Sequence, residues 1–155
     1  MTAPQGIDPR GPRFTATITA ILLLTVIGLA VAGLTVPATI LFAVLVVIFA
    51  WSATQGVAKH PFGLFFRAVI RPRLAPPTEL EDPIPPTFAQ GVGFVITAVG
   101  LVLHLFGVPY ALVVAASFAF IAAFLNSVFA YCLGCQIYLL LARLGVVGKR
   151  GAATA

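Results

Sequence analysis

The sequence predicts an all-α integral membrane protein: four transmembrane helices arranged as a tandem repeat of two helical hairpins, with short cytoplasmic interfacial helices after spans 2 and 4. Three observations predict it. Of 155 residues, 61% are hydrophobic and 8% charged, with a mean hydropathy of +1.11, whereas about a quarter of the residues of a soluble globular chain are charged. Two long stretches, 14–58 and 83–142, contain no Asp, Glu, Lys or Arg, and each is long enough for two helices of roughly 20 residues crossing about 30 Å of hydrocarbon. The motif DPRGPRF at 8–14 returns as DPIPPTF at 82–88.

Breakers divide each stretch. Gly33-Leu34-Thr35-Val36-Pro37 cuts the first and Phe106-Gly107-Val108-Pro109 the second, both turn-type sequences inside helical patterns. Four spans follow, roughly 14–34, 37–58, 88–106 and 109–131. A cleavable leader does not suit the first span, because no small-residue cleavage site leads into a soluble domain. The apolar runs are continuous rather than alternating, which excludes porin-like strands.

All nine Lys and Arg fall outside the two hairpins, in the segments before, between and after them. By the positive-inside rule both termini and the central loop face the cytoplasm, in the cell membrane. The net charge of +5 is then an orientation signal and a contact to anionic lipid, with no call for nucleic acid.

The repeat sets Asp8 on Asp82, Pro9 on Pro83, Pro12 on Pro86 and Phe14 on Phe88, and further along sets Phe62-Gly63 on Leu133-Gly134. Two copies of an even-spanned unit share one orientation, which implies a pseudo-twofold axis along the membrane normal. One membrane domain, 1–155, is expected: repeat 1 at 8–74, a proline-rich cytoplasmic connector at 72–86, repeat 2 at 82–144 and a flexible tail at 145–155. The same alignment puts Gln55 on Asn126, two carboxamides that could bond across the axis, as helix glue or as a substrate site. His104, near the outer end of the third span, reads as an interfacial residue bonded to backbone.

HPFGLFFRAVIRPRL at 60–74 spaces Phe62, Phe65, Phe66 and Val69 along one side of a helix, away from Arg67 and Arg71, as an interfacial amphipathic helix would. The connector RPRLAPPTELEDPIPP favours an extended path and presents Glu79, Glu81 and Asp82 to solvent. Thr87 and Gln90 have the spacing of a capping box for the third span.

The only cysteines, Cys132 and Cys135, lie in YCLGCQIY. A helix running unbroken from Ala111 to Leu144 would be about 50 Å long, more than the bilayer needs, so a break is expected. Gly134, the match of Gly63, is the expected place. Cys132 would close the fourth span and Cys135 would open a short helix at the cytoplasmic surface. There the resting state should be the dithiol, with a thiolate favoured by the helix start. Packing of two small residues is the competing reading. Structural zinc needs four ligands, and no second C-x-x-C or histidine pair is at hand, so neither metal nor cofactor is expected.

The strings IDPRGPRF, HPFGLFFR, RPRLAPPTELEDPIPPTFAQ and FLNSVFAYCLGCQIYLL, in this order, resemble the small four-helix bacterial membrane proteins catalogued as domain of unknown function 4395, from about Ile7 to Leu144. The resemblance implies no established activity. It implies thioredoxin-like or sulfurtransferase proteins as soluble partners, and an acidic residue after the second cysteine where this chain has Gln136, which removes a carboxylate from beside the thiols.

Three classes of function follow. The first is a thiol-based redox or sulfur-relay protein, with Cys132 and Cys135 exchanging with a partner's disulfide or persulfide. The second is a small transporter or channel subunit using Gln55, Asn126 and the pseudo-axis, which with four spans would have to form a homo-oligomer. The third is a membrane scaffold for soluble enzymes. Quinone-linked disulfide generators also combine four helices with C-x-x-C, but they act on the outer face through a second cysteine pair, and neither feature is present.

Overall fold

A computed structural model of the chain describes residues 6–147; the expected tail beyond Val147 lies outside them. Six helices follow one another: α1 (Arg10–Val31), α2 (Thr35–Gln55), α3 (Pro61–Phe65), α4 (Ile84–Leu105), α5 (Ala111–Phe129) and α6 (Leu133–Arg143). Four of them, α1, α2, α4 and α5, are long and apolar enough to cross a membrane.

The prolines expected ahead of the first and third long helices lie inside their first turns. Pro12 sits in α1, and Pro85 and Pro86 sit in α4. The first N–H groups of a helix have no intrahelical acceptor, so proline there loses no bond, and both helices start about one turn earlier than hydropathy alone suggests. The aspartates of the repeated motif accept freed N–H groups: Asp8 Oδ1 takes that of Arg10 at 3.0 Å and Asp82 Oδ1 that of Ile84 at 2.9 Å. The capping box expected of Thr87 and Gln90 is therefore absent. Thr87 lies a turn inside α4, where its hydroxyl donates to the Pro83 carbonyl (2.7 Å) and accepts the Val57 N–H (3.0 Å).

Gly33 and Gly107, at φ +80° and +83°, end α1 and α4 in the left-handed conformation that glycine adopts without strain. The next N–H reaches back in each case, Leu34 to the Leu29 carbonyl (2.9 Å) and Val108 to that of Leu103 (3.0 Å). The hairpins so formed are interleaved: α1 packs mainly on α5, and α2 mainly on α4. Leu23, Val26, Phe42, Leu45, Leu112 and Ala116 form the core. Small residues let the backbones approach. A Cβ on Gly100 would collide with that of Ala115, and one on Gly93 would fall 2.7 Å from Phe49 Cε1. Large apolar side chains face outward along all four long helices, among them Ile21, Val47, Val95 and Phe118.

After α2 a 3-10 turn (Val57–Lys59) leads into α3, which continues as a π-helical turn (Phe66–Ile70) and a 3-10 turn (Arg71–Arg73). This is the helical segment expected over 60–74. Phe66 is buried against Phe14, while Phe65 and Val69 are exposed.

The connector folds back on the N-terminus. Ile7 and Glu81 exchange two backbone hydrogen bonds of 2.9 Å in an isolated antiparallel bridge, and Arg10 donates to the Ala75 carbonyl at 3.0 Å. Arg10 also grips both oxygens of the buried Asp8, with Arg71 3.9 Å away. The hydrogen bond from Arg10 holds the Asp8 carboxyl below the usual carboxylate range.

Candidate functional site

The cysteines stand where the chain turns out of α5. Ala130 adopts φ +54°, a left-handed conformation unusual for a residue with a Cβ, and the Tyr131 N–H returns to the Leu125 carbonyl at 3.2 Å. Cys132 is then extended and caps α6, its Sγ accepting the Cys135 N–H at 3.3 Å. The break is therefore at Ala130, and Gly134 is not its cause. Gly134 lies inside the first turn of α6, buried against α4, where an added Cβ would fall 2.6 Å from Ala89 Cα. The glycine is there for close approach, and the turn is made by an alanine held in place by the Leu125 carbonyl.

Cys132 thus takes the helix-start position expected of Cys135. It is the more accessible of the two, half-buried, whereas Cys135 is 8% exposed. The two sulfurs stand within bonding reach of one another, with Cα atoms 5.2 Å apart, a separation ordinary for a pair that can close as a disulfide. In the reduced form the Cys135 N–H and the start of α6 would both favour negative charge on the Cys132 sulfur.

Two spaces meet at this pair. The outer one, about 300 Å³, is lined by Arg13, Glu79, Glu81, Asn126 and both cysteines. Burial, and secondarily Asp82, push the Glu81 carboxyl above its ordinary value. The inner one, about 220 Å³, lies among α1, α4, α5 and α6; Thr15, Thr19, Gln90 and Asn126 are polar residues in its otherwise largely apolar wall. Cys132 and Asn126 line both spaces. Gln90 Oε1 is buried with no hydrogen-bond partner among the described residues.

Asn126 is therefore brought to the cysteines, and Gln55 is not. Gln55 is the exposed last residue of α2, and no hydrogen bond joins it to Asn126 among the described residues. Five residues, 56–60, connect α2 to α3, and three, 130–132, connect α5 to α6, so a fixed offset between the two halves does not place Gln55 and Asn126 at like positions on their helices. Arg13, Glu79, Glu81 and Gln90 were legible only as an orientation charge, linker acids and a cap. The available signal for Gln90 was a carboxamide a turn and a half inside a long apolar helix.

The two histidines lie elsewhere. His60 is 1% exposed and caps α3, its Nδ1 accepting the Phe62 N–H at 3.2 Å; burial lowers its pKa to about 4. His104 joins α4 to α2 through Thr39, 2.9 Å from Nε2, rather than to backbone. The Thr39 hydroxyl already donates to the Thr35 carbonyl, so the network assigns the proton to Nε2. No group of three His, Cys, Asp or Glu able to hold a metal occurs among the described residues.

The family model described as "Domain of unknown function (DUF4395)" matches residues 7–143. The chain belongs to this family. The match runs through both hairpins and the cysteine pair, so the DUF4395 region includes the whole site. No curated protein and no solved structure gives a match.

Proposed function

We propose that this DUF4395 chain is a multi-pass protein of the cell membrane, with both termini and the connector in the cytoplasm, that works as a thiol-redox or sulfur-relay partner of soluble thioredoxin-like or sulfurtransferase proteins. The observation that carries the proposal is the placing of Cys132 and Cys135: a closable pair at a helix start, with the more accessible sulfur facing a charged opening. Cys132 as thiolate attacks a sulfur of the partner's disulfide. A mixed disulfide forms and one partner thiolate leaves. Cys135 then attacks Cys132, releasing the second partner thiolate and closing the Cys132–Cys135 bond.

Membrane insertion is supported by the outward-facing Ile21, Val47, Val95 and Phe118, which water would not tolerate over so much surface. The tandem repeat is supported by like contacts in the two halves. Asp8 and Asp82 each accept the N–H two residues on. Phe14 packs on Phe66 as Phe88 packs on Tyr138, with ring centres 5.6 and 5.5 Å apart. Ile7 bonds to Glu81, the residue on which the repeat superposes it.

The test is maleimide labelling in inside-out vesicles, first reduced and freed of reductant, across pH, before and after a mild disulfide or polysulfide challenge. We expect Cys132 to label well below the ordinary thiol pKa of about 8.5, and to be protected reversibly by the challenge. Labelling of neither cysteine until the protein is unfolded would instead make the pair a packing feature, leaving the scaffold and transport readings.

A further inference from the structure

We infer that the inner cavity is a quinone site, and that a bound quinone is the oxidant of the Cys132–Cys135 dithiol. This rests on the redox reading of the pair. The cavity's volume, about 220 Å³, is that of a single substituted ring; an apolar cavity of about 150 Å³ already admits benzene. Among the described residues no charged one lines it, and Phe49, Val92 and Ile96 supply apolar wall. An ionised occupant would lose its hydration there without compensation. Besides Cys132, the polar residues are hydroxyls and carboxamides, Thr15, Thr19, Gln90 and Asn126; their O–H and N–H groups can donate to quinone carbonyls, and the buried Gln90 Oε1, an acceptor with no partner among the described residues, would take the hydroxyl of the quinol. The occupant is therefore uncharged, ring-sized, lipid-soluble and equipped with oxygens that hydrogen-bond.

The site's second feature narrows the class. Cys132 forms part of the cavity wall and also of the outer, charged opening. A molecule in the cavity thus lies beside one sulfur of the pair, while soluble partners reach it from the other side. Quinones are the lipid-soluble, uncharged rings that take up two electrons and two protons. The step balances: the two S–H bonds of Cys132 and Cys135 break, one S–S bond forms, and both electrons and both protons pass to the quinone oxygens, giving the quinol; the dithiol is restored by the reverse of the exchange above, in which a partner dithiol opens the Cys132–Cys135 bond and leaves as the partner disulfide. With the quinone next to the pair itself, no second pair of cysteines is needed.

The experiment uses the full chain in lipid nanodiscs, reduced with a phosphine and freed of reductant without oxygen. Ubiquinone-1 is added, and loss of quinone absorbance and loss of maleimide-reactive thiols are followed together. One quinol per disulfide is expected. Filling the cavity with Ala122→Phe, and removing only the carboxamide with Gln90→Leu, should each slow the reaction, the latter by about tenfold for a lost hydrogen bond to the ligand. The Gln90→Leu change is close in size to the native side chain and keeps the test open if the bulkier variant fails to fold. A parallel sample receives a soluble polysulfide. Oxidation by polysulfide but not by quinone overturns the quinone site and leaves the thiol reading standing. Resistance to both overturns the two together. Quinone oxidation that is equally fast in wild type and both variants places the reaction outside the cavity and overturns the inference.

Discussion

His60 illustrates what a titratable side chain does when it is used as a cap. Its Nδ1 accepts a backbone N–H, and the ring is almost wholly buried, so the neutral form is the one that fits. A base with a folded pKa of about 4 and an unfolded value near 6.5 binds more protons when unfolded throughout that window. Stability is therefore full above about pH 6.5, falls as pH drops towards 4, and levels off below it, a total on the order of 3 kcal/mol. Unfolding midpoints in detergent should follow this slope. The variant His60→Asn keeps an acceptor at the cap and removes the titration, so its midpoint should be flat over the same range; an unchanged slope would assign the pH dependence to other groups. At this scale the sequence was partly readable. Two histidines in an apolar chain invite a role in metal binding or proton transfer, but what each bonds depends on where α2 and α3 bring it, which local spacing does not contain.

At the scale of elements, α6 is the piece on which the site depends. Its approach to α4 is set by Gly134 over Ala89, while the turn that releases it from α5 is set by Ala130. The two positions should respond in opposite directions. Gly134→Ala forces a Cβ into Ala89, with an overpacking cost of about 1–3 kcal/mol, and by shifting α6 should slow maleimide reaction at Cys132. Ala130→Gly relieves a left-handed residue and should raise stability by about 1 kcal/mol, with the thiols unaffected. Thermal midpoints and labelling rates of the two variants check this; a stabilising Gly134→Ala would mean that α6 is not seated as described. The existence of the helix break was legible, because an unbroken α5–α6 is too long for a bilayer. Its position was not. Glycine is the better candidate on backbone freedom alone, and only the packing of α6 on α4 shows that Gly134 is committed to another task.

For the whole molecule, periodicity and charge placement carried the four long helices, and the glycine turns at Gly33 and Gly107 carried the hairpins between them. What could not be read was the interleaving, since hydropathy says which residues leave water but not which helix they meet. The Ile7–Glu81 bridge ties the segment before α1 to the segment before α4. In a chain with Cys132→Ser and Cys135→Ser, the added pair Ile7→Cys and Glu81→Cys should close a disulfide within one molecule on mild oxidation, since facing bridge residues lie about 5.5 Å apart at Cα. Cross-linking only between molecules would contradict the bridge. The pairing of α1 with α5 and of α2 with α4 also sets an order of events during synthesis. The first hairpin leaves the ribosome before either of its main partners has been made, so it must wait among lipids, or under the care of an insertase, with its seam unfilled. Maturation then depends on how soon the second hairpin follows, and slow codons between the halves would lengthen the interval in which the newborn chain is open to proteolysis.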